Sequence, residues 1–541
     1  MTHFTRRTRL AALLAAGALA VTGCSDSSDE PGDSSELSKA DIFTTGLVNQ
    51  SDSGEPTQGG ILTVSEYGEI RTLNPAQAYA SGTVGGSALA AVYDALMVYN
   101  YEDRAWEPKL AESLTTEDDV TWTLKLREGV KFSDGTPYNA DAVIGSMKYY
   151  MSLYGFQSTT MLANQTKMTK VDDLTVKFVN AGPWATFPAM LAGGPGMIMA
   201  PAAYKNAAQD PTKFKPIGAG AFEFEKYTPA EELVLKARKD YWDGAPHLDK
   251  LRFVWIQGDE PMVESLKSGE VDAAFIRNPK TVESARREGM GGMMFVVGGG
   301  SQIAINTREG RPGNDVRVRQ ALQLAFDNDA YAERAWEGAG MPSKSLFAET
   351  SPWATDVEFP EVDRDKASEL VEEAKADGFD GKISYIYNAN PTSEAAAVQV
   401  EAQLEAVGFE VELDAVDNIA DITKRLYMDH DFDLGISAAN IGDPDPYASI
   451  FEVYSTRGST NVSGYMDPKL DELLDELRAH ADDPEAAKDS LTGIEEIIRD
   501  EVPVIGLGPT GNFMTWSDSV HGIVPTVQEM VHYDKAWKDS K

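Results

Sequence analysis

The stretch VTWTLKLREGVKFSDGTPYNADAV, residues 120–143, carries the clearest fold signal in the sequence. Its opening residues alternate apolar and polar side chains, which is the period-two pattern of a strand with one buried face. The turn-forming residues Ser133, Asp134 and Gly135 follow. Asn139 then stands where a helix N-cap is expected, before a run of apolar residues with helical spacing. We therefore predict a scaffold of strand, turn and capped helix, without a catalytic constellation.

Together with WEPKLAES at 106–113, this stretch resembles the signature of solute-binding protein family 5, the peptide- and nickel-type receptors of ABC importers. The similarity continues through LNP at 73–75, GAGAFEFEKY at 218–227 and YWDG at 241–244. It covers nearly everything after about Gly59. The resemblance implies an α/β, two-lobed periplasmic-binding-protein-like fold of the large type, with an additional domain and a ligand cleft between the lobes.

The length of 541 residues is too great for a single hydrophobic core, which agrees with a division into lobes. The resemblance implies that the additional domain packs on lobe I. The predicted segments are 1–23 signal peptide, 24–58 lipidated flexible tether, 59–88 lobe I, 89–203 additional domain, 204–300 lobe I, 301–507 lobe II and 508–541 the C-terminal part of lobe I.

The N-terminus has the pattern of an exported lipoprotein. Arginines at 6, 7 and 9 precede a short apolar segment, residues 10–21, which is too short to span a membrane. Val21-Thr22-Gly23-Cys24 resembles a bacterial lipobox, so Cys24 is predicted to carry the lipid anchor. The export route, general or twin-arginine, stays open. Apolar residues at 42–48 interrupt the polar tether, and the sequence alone assigns residues 36–50 no role.

The net charge and the cysteine count exclude several classes of binding partner. The formal net charge is −38, and such a surface repels nucleic acid and anionic lipid headgroups. Cys24 is the only cysteine, which excludes an intrachain disulfide and a multi-cysteine metal site. We expect an extracytoplasmic monomer, held at the cell membrane through lipidated Cys24, that binds no nucleic acid, cofactor or metal.

Catalytic motifs are missing from the sequence. It has no His-Glu-x-x-His zinc spacing, no Gly-x-Ser-x-Gly elbow and no Ser-x-x-Lys pair. We therefore predict that the protein is not an enzyme, with a secreted peptide or glycan hydrolase as the rival hypothesis. A receptor of the same fold that senses its ligand without import shares every feature seen here. Nickel or haem stays open as an alternative solute, but the sequence lacks the clustered histidines expected of a protein that binds either one.

The resemblance points to a ligand contact in DLGISAANIGDPDPY, residues 433–447. Peptide-binding members of the family carry a tryptophan and, three residues later, an aspartate that pairs with the peptide α-ammonium. Alignment on the Gly-Asp-Pro of residues 442–444 puts Ser437 and Asn440 at those two positions. A neutral amide offers no compensating charge, and charge-assisted hydrogen bonds are roughly twice as strong. Blocked peptides, cyclic peptides and non-peptide solutes thus become alternatives to a free peptide.

Two further segments complete the candidate site. The family lays the loop predicted at residues 65–71 along the cleft, where Tyr67 can stack on a ligand and Glu66 or Arg71 can complement its charge. Asp443 and Asp445 can be interpreted as a metal pair, but flanking prolines favour a rigid turn. The candidate ligand-binding residues are Ser65, Glu66, Tyr67, Arg71, Ser437, Asn440 and Asp443.

Overall fold

The computed structural model describes residues 37–50, 54–82 and 84–539. The predicted signal peptide, Cys24 and the first part of the predicted tether lie outside these residues. Within the described ranges, no helix combines the length and the apolar character that crossing a membrane requires.

An eleven-stranded mixed sheet runs through the protein. Across the sheet, the order begins at Glu410–Val416, passes through the neighbouring strands Gly292–Ile305 and Val504–Trp516, and ends at Phe222–Thr228. In chain order its strands are Gly46–Val48, Ile61–Glu66, Phe222–Thr228, Glu232–Ala237, Lys250–Trp255, Ala273–Ile276, Gly292–Ile305, Lys382–Asn388, Glu410–Val416, Leu434–Ile441 and Val504–Trp516.

Two long antiparallel strands, Gly292–Ile305 and Val504–Trp516, join the two lobes. The first of them contributes to one hydrophobic core as far as Val297 and to a second core from Ile303 onward. Between these points the pairing register shifts. Gly300 has a φ of 53°, and a Cβ there would lie 2.2 Å from the carbonyl oxygen of Gly508. Glycine is thus required where the strands pass from one lobe to the other, and the fold is α/β and two-lobed, as predicted.

A separate four-stranded antiparallel sheet contains the strand predicted at the start of the 120–143 stretch. Its strands, in order across the sheet, are Ala111–Thr116, Thr121–Leu126, Thr175–Val179 and Lys167–Asp172. Asn139 accepts a hydrogen bond of 3.0 Å from the amide of Ala142 and so caps the following helix. The predicted strand, turn and capped helix are therefore confirmed. The domain boundaries drawn from the resemblance stay predictions.

Helices cover the sheets, and short strands complete the chain. The helices are Lys39–Ile42, Gly86–Tyr93, Ala140–Ser152, Ser158–Ala163, Phe187–Ala192, Pro201–Gln209, Asp259–Ser268, Pro279–Arg287, Val316–Ala325, Asn328–Trp336, Arg364–Ala376, Pro391–Glu405, Ile419–Thr423, Pro446–Tyr454, Pro468–His480 and Pro484–Glu501, with a π-helical turn at Lys424–Asp429. The short strands are Met97–Asn100, Ala105–Pro108, Val520–His521, Val524–Pro525, Val531–His532 and Trp537–Lys538.

Residues 39–48, which we call the N-terminal strap, are folded onto the sheet. Gly46–Val48 pairs antiparallel with the Gly292–Ile305 strand, and Phe43 is only 1% exposed. Lys39 Nζ donates hydrogen bonds of 2.9 and 3.1 Å to the carbonyls of Gly338 and Gly340. The composition had predicted a flexible tether as far as residue 58. That prediction is wrong for the strap, because its apolar residues find a buried site on the sheet.

Candidate functional site

The Leu434–Ile441 strand carries the segment singled out from the sequence. It runs antiparallel to Gly292–Ile305, with Ser437 opposite Gln302 and Asn440 opposite Gly299. Successive side chains of a strand point to opposite faces, so these two residues face opposite sides of the sheet. Ser437 is buried, and its hydroxyl has no hydrogen-bond partner in the described chain. Asn440 lies on the more open face.

Asn440 borders a small cavity of about 20 Å³, which we call the central cavity. The Asn440 side chain lies near Tyr79, whose ring packs against Phe156 with 4.0 Å between ring centroids. The cavity is large enough for roughly one water molecule. It is lined by Thr45, Tyr101, Phe295, Val296, Val297, Asn440, Gly442, Asp443, Gln528 and Glu529.

Asp443 is held in place by several neighbours. Its carboxylate accepts a 3.1 Å hydrogen bond from the Ser351 hydroxyl, and its backbone carbonyl accepts one of 2.9 Å from the indole of Trp353. Burial raises the pKa of Asp443, while hydrogen bonds from Ser351 and Thr45 oppose that shift. Asp443 is therefore held by the segment around residue 351, and it shares the edge of the central cavity with Thr45 of the N-terminal strap.

Asp445 has a structural role. It caps the Pro446–Tyr454 helix and accepts a 2.8 Å hydrogen bond from the Thr186 hydroxyl. Burial raises its pKa to about 6. The turn expected in this segment is present, and Asp445 caps the helix that follows it. In the described ranges no group of three or more His, Cys, Asp or Glu side chains is arranged to hold a metal ion.

Glu529 is a second acid on the central cavity, and it is only 7% exposed. Its Oε2 accepts a 2.6 Å hydrogen bond from the amide of Asn512, and the Asn512 Oδ1 accepts one of 3.3 Å from Arg277 Nε. Burial raises the pKa of Glu529, and the charge of Arg277 opposes that shift. Asn512 thus lies between the cation and the carboxylate and contacts both.

The predicted first-lobe loop, residues 65–71, has a different structure from the one expected. Ser65 and Glu66 are the last residues of the Ile61–Glu66 strand and are almost fully buried, because they pair in parallel with Val254 and Trp255. Burial raises the pKa of Glu66 to about 8. These two positions are therefore strand rather than loop, and their contact with a ligand stays a prediction.

The other two first-lobe candidates lie apart from each other. Tyr67 is 46% exposed, and the guanidinium of Arg277 lies 5.1 Å from the centre of its ring. Arg71 is exposed and lines a different cavity, of about 150 Å³, together with Phe214 and Phe224. The structure thus brings Tyr67 close to the Arg277–Asn512–Glu529 chain but puts Arg71 on another cavity.

Comparison with known proteins identifies the family. Residues 105–461 match the family described as bacterial extracellular solute-binding proteins, family 5 Middle. The chain belongs to solute-binding protein family 5. As such it is a substrate-binding protein of an ABC importer and not an enzyme, which confirms both predictions made from the sequence.

The relatives of this family 5 protein cover most of its length. It is 25% identical over 501 residues to the dipeptide-binding protein of Escherichia coli (strain K12), covering 86% of this chain and 92% of that protein. It is 27% identical over 364 residues to the glutathione-binding protein GsiB of the same strain, covering 66% of this chain and 69% of that protein. Both relatives are named for small solutes.

A solved structure supports the fold of the family 5 protein. The periplasmic binding protein DppA from Helicobacter pylori, in complex with the peptide STSA, superimposes with a TM-score of 0.75. The two sequences are 22% identical, and the match covers 90% of this chain and 99% of that chain. At this identity the likeness shows the two-lobed fold alone.

Several residues around the central cavity were missed by the sequence analysis. Tyr79 follows shortly after the LNP motif at 73–75, so closer attention to that motif could have found it. Glu529, Asn512 and Arg277 carry no local motif. Arg277 lies beside Asn512 because Ala273–Ile276 pairs with the Val504–Trp516 strand. Glu529 lies between the short paired strands Val524–Pro525 and Val531–His532, further along the chain.

Proposed function

We propose that this family 5 protein captures a peptide or a peptide-like solute outside the cytoplasmic membrane and delivers it to the permease of its importer. The observation that carries this proposal is the set of polar side chains around the central cavity, above all Asn440 and Glu529. Amide and carboxylate groups complement the donors and acceptors of a peptide backbone and its termini. The names of the dipeptide-binding and glutathione-binding relatives support the same class of solute.

Binding is coupled to a hinge motion of the lobes in this proposal. The central cavity, at about 20 Å³, is far smaller than the roughly 300–1,000 Å³ of pockets that hold small molecules. A peptide therefore enters only when the lobes move apart, and contacts from both lobes then favour the closed state. We place the hinge at Gly300, which lies in a strand that joins the lobes, at the point where the pairing register of that strand shifts.

The proposal includes a lipid anchor at Cys24. The basic residues near the N-terminus, the apolar segment and the lipobox-like sequence before Cys24 support it. Two or more acyl chains hold a protein on a membrane stably, whereas one chain is marginal. In cells fed a labelled fatty acid, the wild-type chain should acquire label and sediment with membranes. Cys24→Ala should remain unlabelled, and labelling of that variant would contradict the anchor.

An assay of peptide uptake distinguishes a receptor that serves import from one that only senses its ligand. Cells that lack this protein should lose uptake of isotopically labelled peptides, and a plasmid copy should restore it. If uptake is unchanged while the purified protein still binds peptide, the delivery step is wrong and a sensing receptor of the same fold is supported. If the purified protein binds no peptide, the proposed solute class is wrong.

A further inference from the structure

We propose that the carboxylate of Glu529 binds a primary ammonium group of the solute in the central cavity, next to Asn440. This inference rests on the proposed binding of peptide-like solutes and names the residue that selects a free amino terminus. It also changes the expectation from sequence, in which the neutral Asn440 offers no compensating charge for an amine.

The negative charge of Glu529 has no ion-pair partner in the described part of the chain. The nearby cation, Arg277, donates its hydrogen bond to the Oδ1 of Asn512 and not to the carboxylate. The charge of Arg277 acts on the Glu529 carboxylate without a direct ion pair, so the cost of burying this carboxylate is offset only in part, and a cation placed beside it offsets more of that cost. A solute ammonium in the central cavity can form the direct ion pair.

Hydrogen bonding leaves room for such a ligand. Among the described residues, Glu529 accepts a hydrogen bond from Asn512 at Oε2, and none is seen at Oε1. An ionised carboxylate has about four acceptor positions, and an ammonium group brings three donors. Asn512 therefore orients the carboxylate while most of its acceptor capacity stays available for the solute.

The backbone around Glu529 is held in an unusual conformation by the first lobe. Gln528 and Glu529 have φ angles of 56° and 61°, which non-glycine residues rarely adopt. The amide of Gly82 donates a 2.9 Å hydrogen bond to the carbonyl of Gln528, and a Cβ on Gly82 would lie 2.0 Å from the carbonyl oxygen of Glu529. Such strain persists where surrounding structure fixes it, and it is typical of binding sites.

Asp443 is the other acid that lines the cavity, and like Glu529 it forms no ion pair within the described chain. Its carboxylate accepts a 3.1 Å hydrogen bond from the Ser351 hydroxyl and its backbone carbonyl accepts one of 2.9 Å from the Trp353 indole, so Asp443 joins parts of the protein itself. Asn440 is uncharged. We therefore assign the solute ammonium to Glu529, whose backbone is strained and whose carboxylate is oriented by Asn512.

The test uses two pools of random tetrapeptides, one with free amino termini and one N-acetylated. The purified protein, Glu529→Gln and Glu405→Gln are each incubated with both pools, and the retained peptides are counted by native mass spectrometry. Glu529→Gln is the informative change because an amide oxygen still accepts the hydrogen bond from Asn512, so the fold is kept while the charge is lost. Glu405→Gln, at the exposed end of the Pro391–Glu405 helix, is the control, because it makes the same chemical change away from the cavity.

We expect the wild-type protein to retain the free pool and to reject the acetylated pool. Glu529→Gln should weaken retention of the free pool by about tenfold or more, whereas Glu405→Gln should change it by less than about threefold. Equal retention of both pools by the wild type, or unchanged retention by Glu529→Gln, overturns the inference and leaves peptide binding intact.

Failure of both pools to bind wild-type protein contradicts the proposed solute class instead. In that case the molecules that co-purify with wild type and with Glu529→Gln are compared after reductive dimethylation, which labels primary amines. A co-purifying solute that takes up no label, or that is equally abundant in the variant, overturns the role of Glu529. A labelled solute that is lost from the variant supports it.

Discussion

The Glu529 carboxylate accepts a 2.6 Å hydrogen bond from the fully buried amide of Asn512. Asn512 belongs to the Val504–Trp516 strand, which pairs with Gly292–Ile305 along the connection between the lobes. One face of the central cavity is therefore fixed to the strands that join the lobes. A solute that contacts Glu529 acts on a group whose position depends directly on those strands.

Replacing Asn512 should lower the free energy of unfolding, because Asn512 is the hydrogen-bond donor to the buried Glu529 carboxylate. Asn512→Leu leaves a buried carboxylate without its donor and Arg277 without its acceptor, so we expect a loss of about 1–3 kcal/mol. Asn512→Leu combined with Glu529→Leu removes both polar partners and should recover part of that loss. Urea unfolding of the two variants and of Glu529→Leu alone measures the coupling. Strictly additive effects of the two single changes would show that the hydrogen bond contributes nothing.

Gly82→Ala should displace the turn that carries Glu529. The added Cβ would lie 2.0 Å from a backbone oxygen, and backbone cannot move aside cheaply. We expect a loss of about 1–3 kcal/mol of stability and weaker peptide retention. Gly193→Ala is the control, because its nearest neighbour lies at 3.4 Å. If both variants retain peptide like the wild type, the turn does not position the binding group.

The N-terminal strap should contribute to stability through Phe43. This side chain is 1% exposed and packs against Gly511, so Phe43→Ala should cost about 3–5 kcal/mol. Leu47 lies on the same strap but is 52% exposed, and Leu47→Ala should cost less than about 1 kcal/mol. Thermal and urea unfolding provide the measurement. Equal, small effects at both positions would mean that the strap is only loosely attached.

Glu66 should make stability depend on pH in a defined direction. Burial raises its folded-state pKa from 4.5 to about 8, so the folded chain binds a proton that the unfolded chain has released. This contribution is fully present below about pH 4.5 and is lost as the pH rises through 8. Between pH 5 and pH 8 the wild type should therefore lose about 2 kcal/mol or more relative to Glu66→Gln.

Glu405→Gln, at an exposed helix position, is the control for the pH series. It should follow the wild-type pH profile, because an exposed carboxylate is solvated in both states. A Glu66→Gln profile parallel to that of the wild type would show that Glu66 titrates normally in the folded protein.

The features predicted best from the sequence are those that depend on residues close together in the chain. The strand at Thr121–Leu126 and the cap at Asn139 follow from alternation and from one side-chain hydrogen bond, and both are present. The resemblance likewise predicted the family and the two-lobed fold. It also drew attention to Asn440, which lines the central cavity.

The sequence could not predict features that depend on strand pairing between segments far apart in the chain. Ser65 and Glu66 look like the start of a loop, yet parallel pairing with Val254 and Trp255 extends the strand through them. The strap is flanked by residues with the composition of a linker. It is ordered because Gly46–Val48 pairs with the Gly292–Ile305 strand, which lies far away in the sequence. Glu529 lies far from Asn440 in the sequence. No local pattern shows that the two line one cavity.

Native mass spectrometry of the purified protein with the pool of free tetrapeptides tests the central claim most directly. We expect one intact peptide per chain, released on unfolding and unchanged in mass. A chain that binds no peptide, or one that releases cleaved peptides, would contradict it.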